Sequence, residues 1–195
     1  MSRGASLAVL LALAGCGSAP TRPVAAADPA ARAALASLDA WHATGRVAVR
    51  AGGEGYHVSF DWRQRGGRGE LAVRGPFGAG AAQISVEPAL IHIESGRDPP
   101  LDLAAPFAAA EPALVARLGF PLPLEPLRYW VLGVPAPDLP STAAGSDFEQ
   151  GGWRIAVTEY AVVAGAPGPL PARLELSRSS TRIRLVVDHW QVGGR

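Results

Sequence analysis

Few side chains in this chain of 195 residues are able to do chemistry: one cysteine, Cys16, and four histidines. His42, His57, His92 and His189 lie far apart, and none stands three or four residues from another, so the local spacing of a zinc site is missing. Asp188-His189 has the composition of a general-base pair. Neighbours on a strand point to opposite faces, however, so these two cannot hydrogen-bond as a dyad unless the backbone there is irregular. The strings G-x-S-x-G, H-E-x-x-H and G-x-x-x-x-G-K-[ST] do not occur, and the glycine clusters lack the strand-to-helix context of a phosphate loop. The residues therefore predict no catalytic group, no metal and no cofactor. Eighteen basic residues, all arginine and scattered, stand against seventeen acidic ones, a net charge of +1 that argues against a general attraction to nucleic acid.

Cys16 points to a different chemistry. Leu13-Ala14-Gly15-Cys16 closes an apolar run at residues 5–14 that follows Arg3. A positive start, about 7–15 apolar residues and small residues before a cut make a secretory signal, and the run is too short to span a bilayer. This N-terminus resembles that of bacterial lipoproteins. The resemblance implies that Cys16 becomes the first residue of the mature chain, with a diacylglycerol on sulfur and a third acyl chain on nitrogen. Such a sulfur is no longer a nucleophile. Each buried methylene adds about 0.8 kcal/mol, so three chains anchor in practice permanently where one would bind marginally. Gly17 is not the aspartate that retains many such proteins at the inner membrane, which implies the outer membrane. A lone cysteine forms no intramolecular disulfide, so the exported domain must be held by its core.

Removal of residues 1–15 leaves 180, enough for one domain. Residues 16–27 are rich in breakers and weakly hydrophobic, and read as a lipidated tether. The folded domain is expected at 28–195. Residues 28–38 have a helical pattern opened by Asp28-Pro29, with Ala31, Leu35 and Leu38 on one side. The period then becomes two. Val47 and Val49 alternate with Arg46, Ala48 and Arg50, and Tyr56, Val58, Phe60 and Trp62 alternate with polar residues, as half-buried strands do. Glycines at 52, 53 and 55 and at 66, 67 and 69 mark hairpin turns. Further strands are expected at Leu71 and Val73, Ala82 to Val86, Ile91 and Ile93, and Leu101 and Leu103, and then at 153–159, 172–177 and 181–190. Between them, two short helices open on prolines at 112–118 and 126–132. Eight to ten sequential strands with short turns and two or three short helices imply an α+β fold. One curved antiparallel sheet covered by the helices satisfies this pattern, and so does a closed barrel with the helices outside.

Several strings, read in order, resemble the LolB family of outer-membrane lipoprotein-insertion proteins. They are Thr44-Gly45-Arg46-Val47-Ala48-Val49, Phe60-Asp61-Trp62-Arg63-Gln64, Gly75-Pro76-Phe77-Gly78, Leu127-Arg128-Tyr129-Trp130-Val131-Leu132-Gly133, Gln150-Gly151-Gly152-Trp153, Pro171-Ala172-Arg173-Leu174-Glu175-Leu176 and Arg182-Ile183-Arg184-Leu185-Val186-Val187-Asp188-His189-Trp190. No single string is specific; their order behind the lipidation signal carries the resemblance.

What the resemblance implies is an incomplete antiparallel β-barrel under a helical lid, enclosing an apolar cavity. It also implies a monomer that takes acylated lipoprotein cargo from a LolA-like periplasmic carrier and places it in outer-membrane lipid without consuming nucleotide. On that expectation the cavity is lined by Val47, Val49, Phe60, Trp62, Leu71, Val73, Ile84, Ile91 and Ile93, with Trp130 from the lid. The same alternation would equally describe packed core. Phe77 stands where the family pattern has a leucine on a protruding loop that enters the membrane, a change of identity that keeps the apolar character. Arg46, Arg50, Arg63 and Arg74 fit either a rim facing an acidic carrier or a solvated strand face. Two other readings compete: a carrier of another amphiphile such as lipopolysaccharide, and a lipid-anchored periplasmic hydrolase.

Overall fold

Alternation of apolar and polar residues over twelve positions, broken by a two-residue glycine turn, is what builds the central hairpin: β1 (Ala40–Ala51) and β2 (Glu54–Arg65). Gly52 and Gly53 both take positive φ in that turn, a conformation glycine adopts without steric cost. In this computed structural model the described residues are 24–75, 81–96, 98–105, 111–118, 120–144 and 147–193. A short helix, α1 (Pro29–Ala36), precedes the hairpin and is capped by the Asp28 carboxylate, which accepts from the Ala31 amide at 2.8 Å. Leu35 is its buried anchor.

The meander continues through β3 (Arg68–Arg74), β4 (Ala82–Val86), β5 (Leu90–Ser95) and β6 (Asp98–Ala104). Two helices follow, α2 (Glu111–Leu118) and α3 (Leu124–Trp130). A second run of strands, β7 (Ser141–Ala144), β8 (Asp147–Gln150), β9 (Trp153–Ala161), β10 (Leu170–Arg178) and β11 (Thr181–Val192), returns to pair with β1. The result is one eleven-stranded antiparallel sheet in the order β6-β5-β4-β3-β2-β1-β11-β10-β9-β8-β7. Among the described residues β6 and β7 do not pair with each other, so the barrel is open and the closed alternative is excluded.

Curvature comes from interruptions of register, since an extra residue on one strand bends it and increases its twist. At Thr44/Gly45 the pairing jumps from His189 to Val187, leaving Asp188 as the extra residue of β11. The burial phase records the jump: Thr181, Ile183, Leu185 and Val187 are buried, and the next buried residue is Trp190. Gly45 is required there. A Cβ on it would lie 2.1 Å from the Val186 carbonyl oxygen and 2.8 Å from Cε1 of Phe60.

Tryptophans brace the bent sheet. Trp41 meets Trp62 edge-on at 5.0 Å and Trp190 at 5.5 Å between ring centroids, and the Trp190 indole donates to the Pro171 carbonyl at 2.9 Å. Three elements differ from the sequence expectation. The helix expected at 126–132 begins at Leu124 and ends at Trp130, passing into turns at 131–133. The hairpin of β7 and β8 has no counterpart in that expectation, because its two strands carry one large apolar residue, Phe148, too little for an alternating pattern. With it the strands number eleven, one above the expected range.

Candidate functional site

The concave side of β1, β2, β3, β10 and β11 faces the segment that joins α2 to α3. Between them lies a cavity of about 70 Å³ whose walls are apolar throughout. Val47 and Val49 of β1, Val58, Phe60 and Trp62 of β2, and Leu71 and Val73 of β3 form one side. Leu176, Ile183 and Leu185 form the other, and Phe120, Leu122 and Leu127 cover it. Each wall residue arrives there for the same reason. On a strand every second side chain shares a face, and the bulge at Asp188 keeps the β11 residues on that face as the sheet turns.

Of the residues singled out in the sequence, Val47, Val49, Phe60, Trp62, Leu71 and Val73 stand on this cavity wall. Ile84, Ile91 and Ile93 are fully buried on β4 and β5 but are not among its walls. Trp130 is also fully buried and off the wall. Its indole donates to Gln150 Oε1 at 2.7 Å, and its ring lies 6.3 Å from that of Trp153. Cys16 and Phe77 fall outside the described residues.

Sequence reasoning missed Val58, Leu127, Leu176, Ile183 and Leu185, although the alternation that marked β1 is equally plain in β10 and β11. Phe120 and Leu122 had no such signal, because a proline-interrupted linker has no period to read.

The cover is held at both ends of α2 by charge. Arg117 donates to the Pro99 carbonyl at 2.6 Å and pairs with Asp98 at 3.3 Å, tying α2 to the edge strand β6. Glu111 pairs with Arg178 at the end of β10, whose guanidinium also lies 4.9 Å from the centre of the Trp153 ring. α3 is tied by Arg128, which donates to the Gly66 carbonyl at 3.2 Å in the β2–β3 turn. After α3 the chain is fixed by Gln150. Its Oε1 accepts from Trp130 and from the Ala136 amide at 2.8 Å, and its Nε2 donates to the carbonyls of Ala136 at 2.9 Å and Leu139 at 2.8 Å. All four hydrogen-bonding positions of this buried amide are used.

Polar chemistry stays on the outer side of the sheet. The irregular backbone that an Asp188-His189 dyad would need is present, yet Asp188 is engaged elsewhere. Arg46 forks onto it at 3.1 and 2.8 Å, and that hydrogen-bonded pairing holds the Asp188 carboxyl below the usual carboxylate range and the Arg46 guanidinium above its own. His42 bonds Asp61 at 3.0 Å and Gln191 at 3.2 Å, again without touching the cavity.

An open antiparallel half-barrel with an apolar concave face under a helical cover has the architecture of a receptor for hydrophobic chains. The chain matches the family described as LolB, outer membrane lipoprotein LolB, over residues 39–190. It is 34% identical to the outer-membrane lipoprotein LolB of Nitrosococcus oceani over 94% of both chains. Against the proteins of the same name from Halorhodospira halophila and Alkalilimnicola ehrlichii it is 35% identical over 80% of its length and 77% of theirs, and 31% identical over 98% and 99%. The chain belongs to the LolB family. Its fold is also similar to that of a DUF1329 family protein from Desulfovibrio piger, with a TM-score of 0.51 at 7% identity over 88% of this chain and 94% of that one.

Proposed function

We propose that the chain is an outer-membrane lipoprotein, anchored through Cys16, that accepts acylated lipoproteins from a LolA-like periplasmic carrier and delivers them to the outer membrane. Acyl chains are held against the apolar wall formed by Val47, Val49, Phe60, Trp62, Leu71 and Val73, and Phe77 enters the lipid during release. Ile84, Ile91, Ile93 and Trp130 belong on this reading to the part of the core that keeps its shape as the cavity fills. The protein acts by binding and release rather than by making or breaking bonds.

Magnitudes support the reading. A triacylated cargo in water exposes about 40 methylenes, on the order of 30 kcal/mol at about 0.8 kcal/mol each, so unaided crossing does not occur. The observation that carries the proposal is the wholly apolar cavity closed by the partly buried Phe120 and Leu122. At about 70 Å³ it is less than half the ~150 Å³ that accommodates benzene, so a chain enters only by displacing Phe120 and Leu122. Both are only partly buried, and exposing them costs at most about 3–6 kcal/mol. A chain of about 14 methylenes returns roughly 11 kcal/mol. Entry is therefore downhill, and the bilayer, which buries every chain, is the deeper well.

The test is a transfer experiment. Carrier loaded with radiolabelled lipoprotein is mixed with an equal concentration of the mature chain, and the label is followed. Movement of label onto the chain, and from it into outer-membrane vesicles, is expected; label that stays on the carrier removes the proposal's support.

A further inference from the structure

The strands that turn Val47, Val49, Ile183 and Leu185 toward the cavity necessarily turn Arg46, Arg50, Arg182 and Arg184 to the reverse side. Pairing places them close together. Arg184 lies opposite Ala48, Arg182 opposite Arg50, His57 opposite Ala48, and Ser59 lies opposite both Arg46 and Arg74. These side chains surround an open groove of about 480 Å³, with Arg46, His57, Arg74 and Arg184 at its sides and Ala48 and Val186 in its floor.

Around the groove and along β11 toward Arg182 the arginines outnumber the carboxylates, whereas farther along the same face Arg63 pairs with Asp61 at 3.5 Å and lies opposite Glu70. Five arginines, Arg46, Arg50, Arg74, Arg182 and Arg184, meet two carboxylates there. Asp188 is engaged by Arg46, and Glu175 is shared by Arg182 at 3.0 Å and Arg184 at 2.7 Å. Arg50 and Arg74 form no ion pair among the described residues, and the residues outside that set include no aspartate or glutamate. Arg50 directly opposite Arg182 is a cross-strand pair of like charges, which costs stability. A fold selected for stability alone has no use for it.

We propose that this outer face docks on the anionic headgroups of the bilayer to which the chain is tethered, orienting the half-barrel for delivery; the inference rests on the lipid-anchored reading above. Three observations favour a lipid surface. The groove is open and shallow, suited to a plane of phosphates rather than to one enclosed ligand. Its wall includes Gly75, which Pro76 and Phe77 follow in the sequence, and basic and apolar residues together are the combination that holds proteins at a membrane interface. The tether, expected from the sequence at 16–27 but ending before Ala27, which is buried in the core beside Gly168, spans at most about 40 Å, which keeps the domain at the bilayer but leaves its orientation free. A patch of five arginines and two carboxylates, net charge +3, settles that orientation.

The test uses the lipidated chain in phosphatidylcholine vesicles with or without one quarter phosphatidylglycerol, and reads arginine modification by phenylglyoxal with mass spectrometry. Arg50, Arg74 and Arg184 are expected to react at least fivefold more slowly in the anionic vesicles, with Arg128 of α3 and Arg32 of α1 as references. The double variant Arg50→Gln/Arg74→Gln is expected to lose the protection at Arg184 by about fivefold per charge removed, and high salt abolishes it. Equal rates in both vesicles overturn the proposal. Protection by polyglutamate without anionic lipid would assign the face to an acidic protein, and equal protection by inorganic phosphate would assign it to a small anion; either result also overturns it. Cargo delivery is not read, so a chain that failed to accept lipoproteins could still show the protection.

Discussion

Gly45 shows how one residue sets the shape of the site. It is the point where β1 changes register against β11, and the Phe60 ring of the cavity wall lies where its Cβ would be. Gly45→Ala is expected to destabilise the domain by about 1–3 kcal/mol through overpacking, measured by urea denaturation; an unchanged midpoint would mean that the strand relaxes freely. Gln150 fixes the far end of the cover, and Gln150→Leu leaves the Trp130 indole and the backbone of residues 136 and 139 without partners. A loss of about 3 kcal/mol or more is expected in the same assay. His92 offers a check on pH. Hydrogen bonds to Asp102 at 2.5 Å and to Glu94 raise its pKa above 6.5. A raised histidine stabilises the fold fully below its unfolded pKa, about 6.5, and that contribution fades as pH climbs through the folded value. Its ring NMR signals should titrate with a midpoint above 6.5, and Asp102→Asn should move the midpoint down.

At the scale of elements, the structure divides into a braced sheet and a cover whose helices are anchored in the core while its linker is only partly buried. The sheet is fixed by its ladders and by the Trp41, Trp62 and Trp190 cluster. The α2 helix is fastened to it by Leu114, buried in the core, and by two ion pairs and one hydrogen bond. The linker between the helices, Gly119-Phe120-Pro121-Leu122-Pro123, carries the two side chains that stop the cavity. Phe120 also tilts against Tyr56 at 6.2 Å, and lifting the cover separates these two rings. Phe120→Ala is therefore expected to raise the affinity for a fluorescent fatty acid several-fold. Because Phe120 is only partly buried, the drop in stability should be smaller than the roughly 3–5 kcal/mol typical of a core phenylalanine. Unchanged fatty-acid affinity in that variant would show that Phe120 is no stopper.

For the whole molecule, openness is the property that matters. A closed barrel would fix the width of its interior by strand number and shear. Among the described residues β6 and β7 stay apart, and the concave face is covered by α3 and the segment before it, which belong to no strand ladder. On the proposed reading, uptake belongs to the concave wall and release to Phe77. Phe77→Glu is expected to leave folding and cargo uptake intact while blocking insertion into vesicles, and normal insertion by that variant would remove Phe77 from the mechanism.

Much of this was legible in the sequence, because alternation, glycine turns and capping residues act over a few positions. The period-two runs around Val47, Phe60 and Ile183 fixed which side chains share a face, and Asp28-Pro29 opened α1. The short hairpin at Ser141–Gln150 lacked enough apolar residues to announce itself, and its place is settled by its ladder to β9 and by the hydrogen bonds of Gln150 to Trp130, Ala136 and Leu139. Only the tertiary structure decided that the sheet stays open, that Asp188 answers Arg46 and not His189, and that Phe120 and Leu122 close the cavity. The physical reason is distance along the chain: a strand's face is set by its own pleat, whereas an open edge, a register shift or a stopper depends on what distant segments bring to the same place.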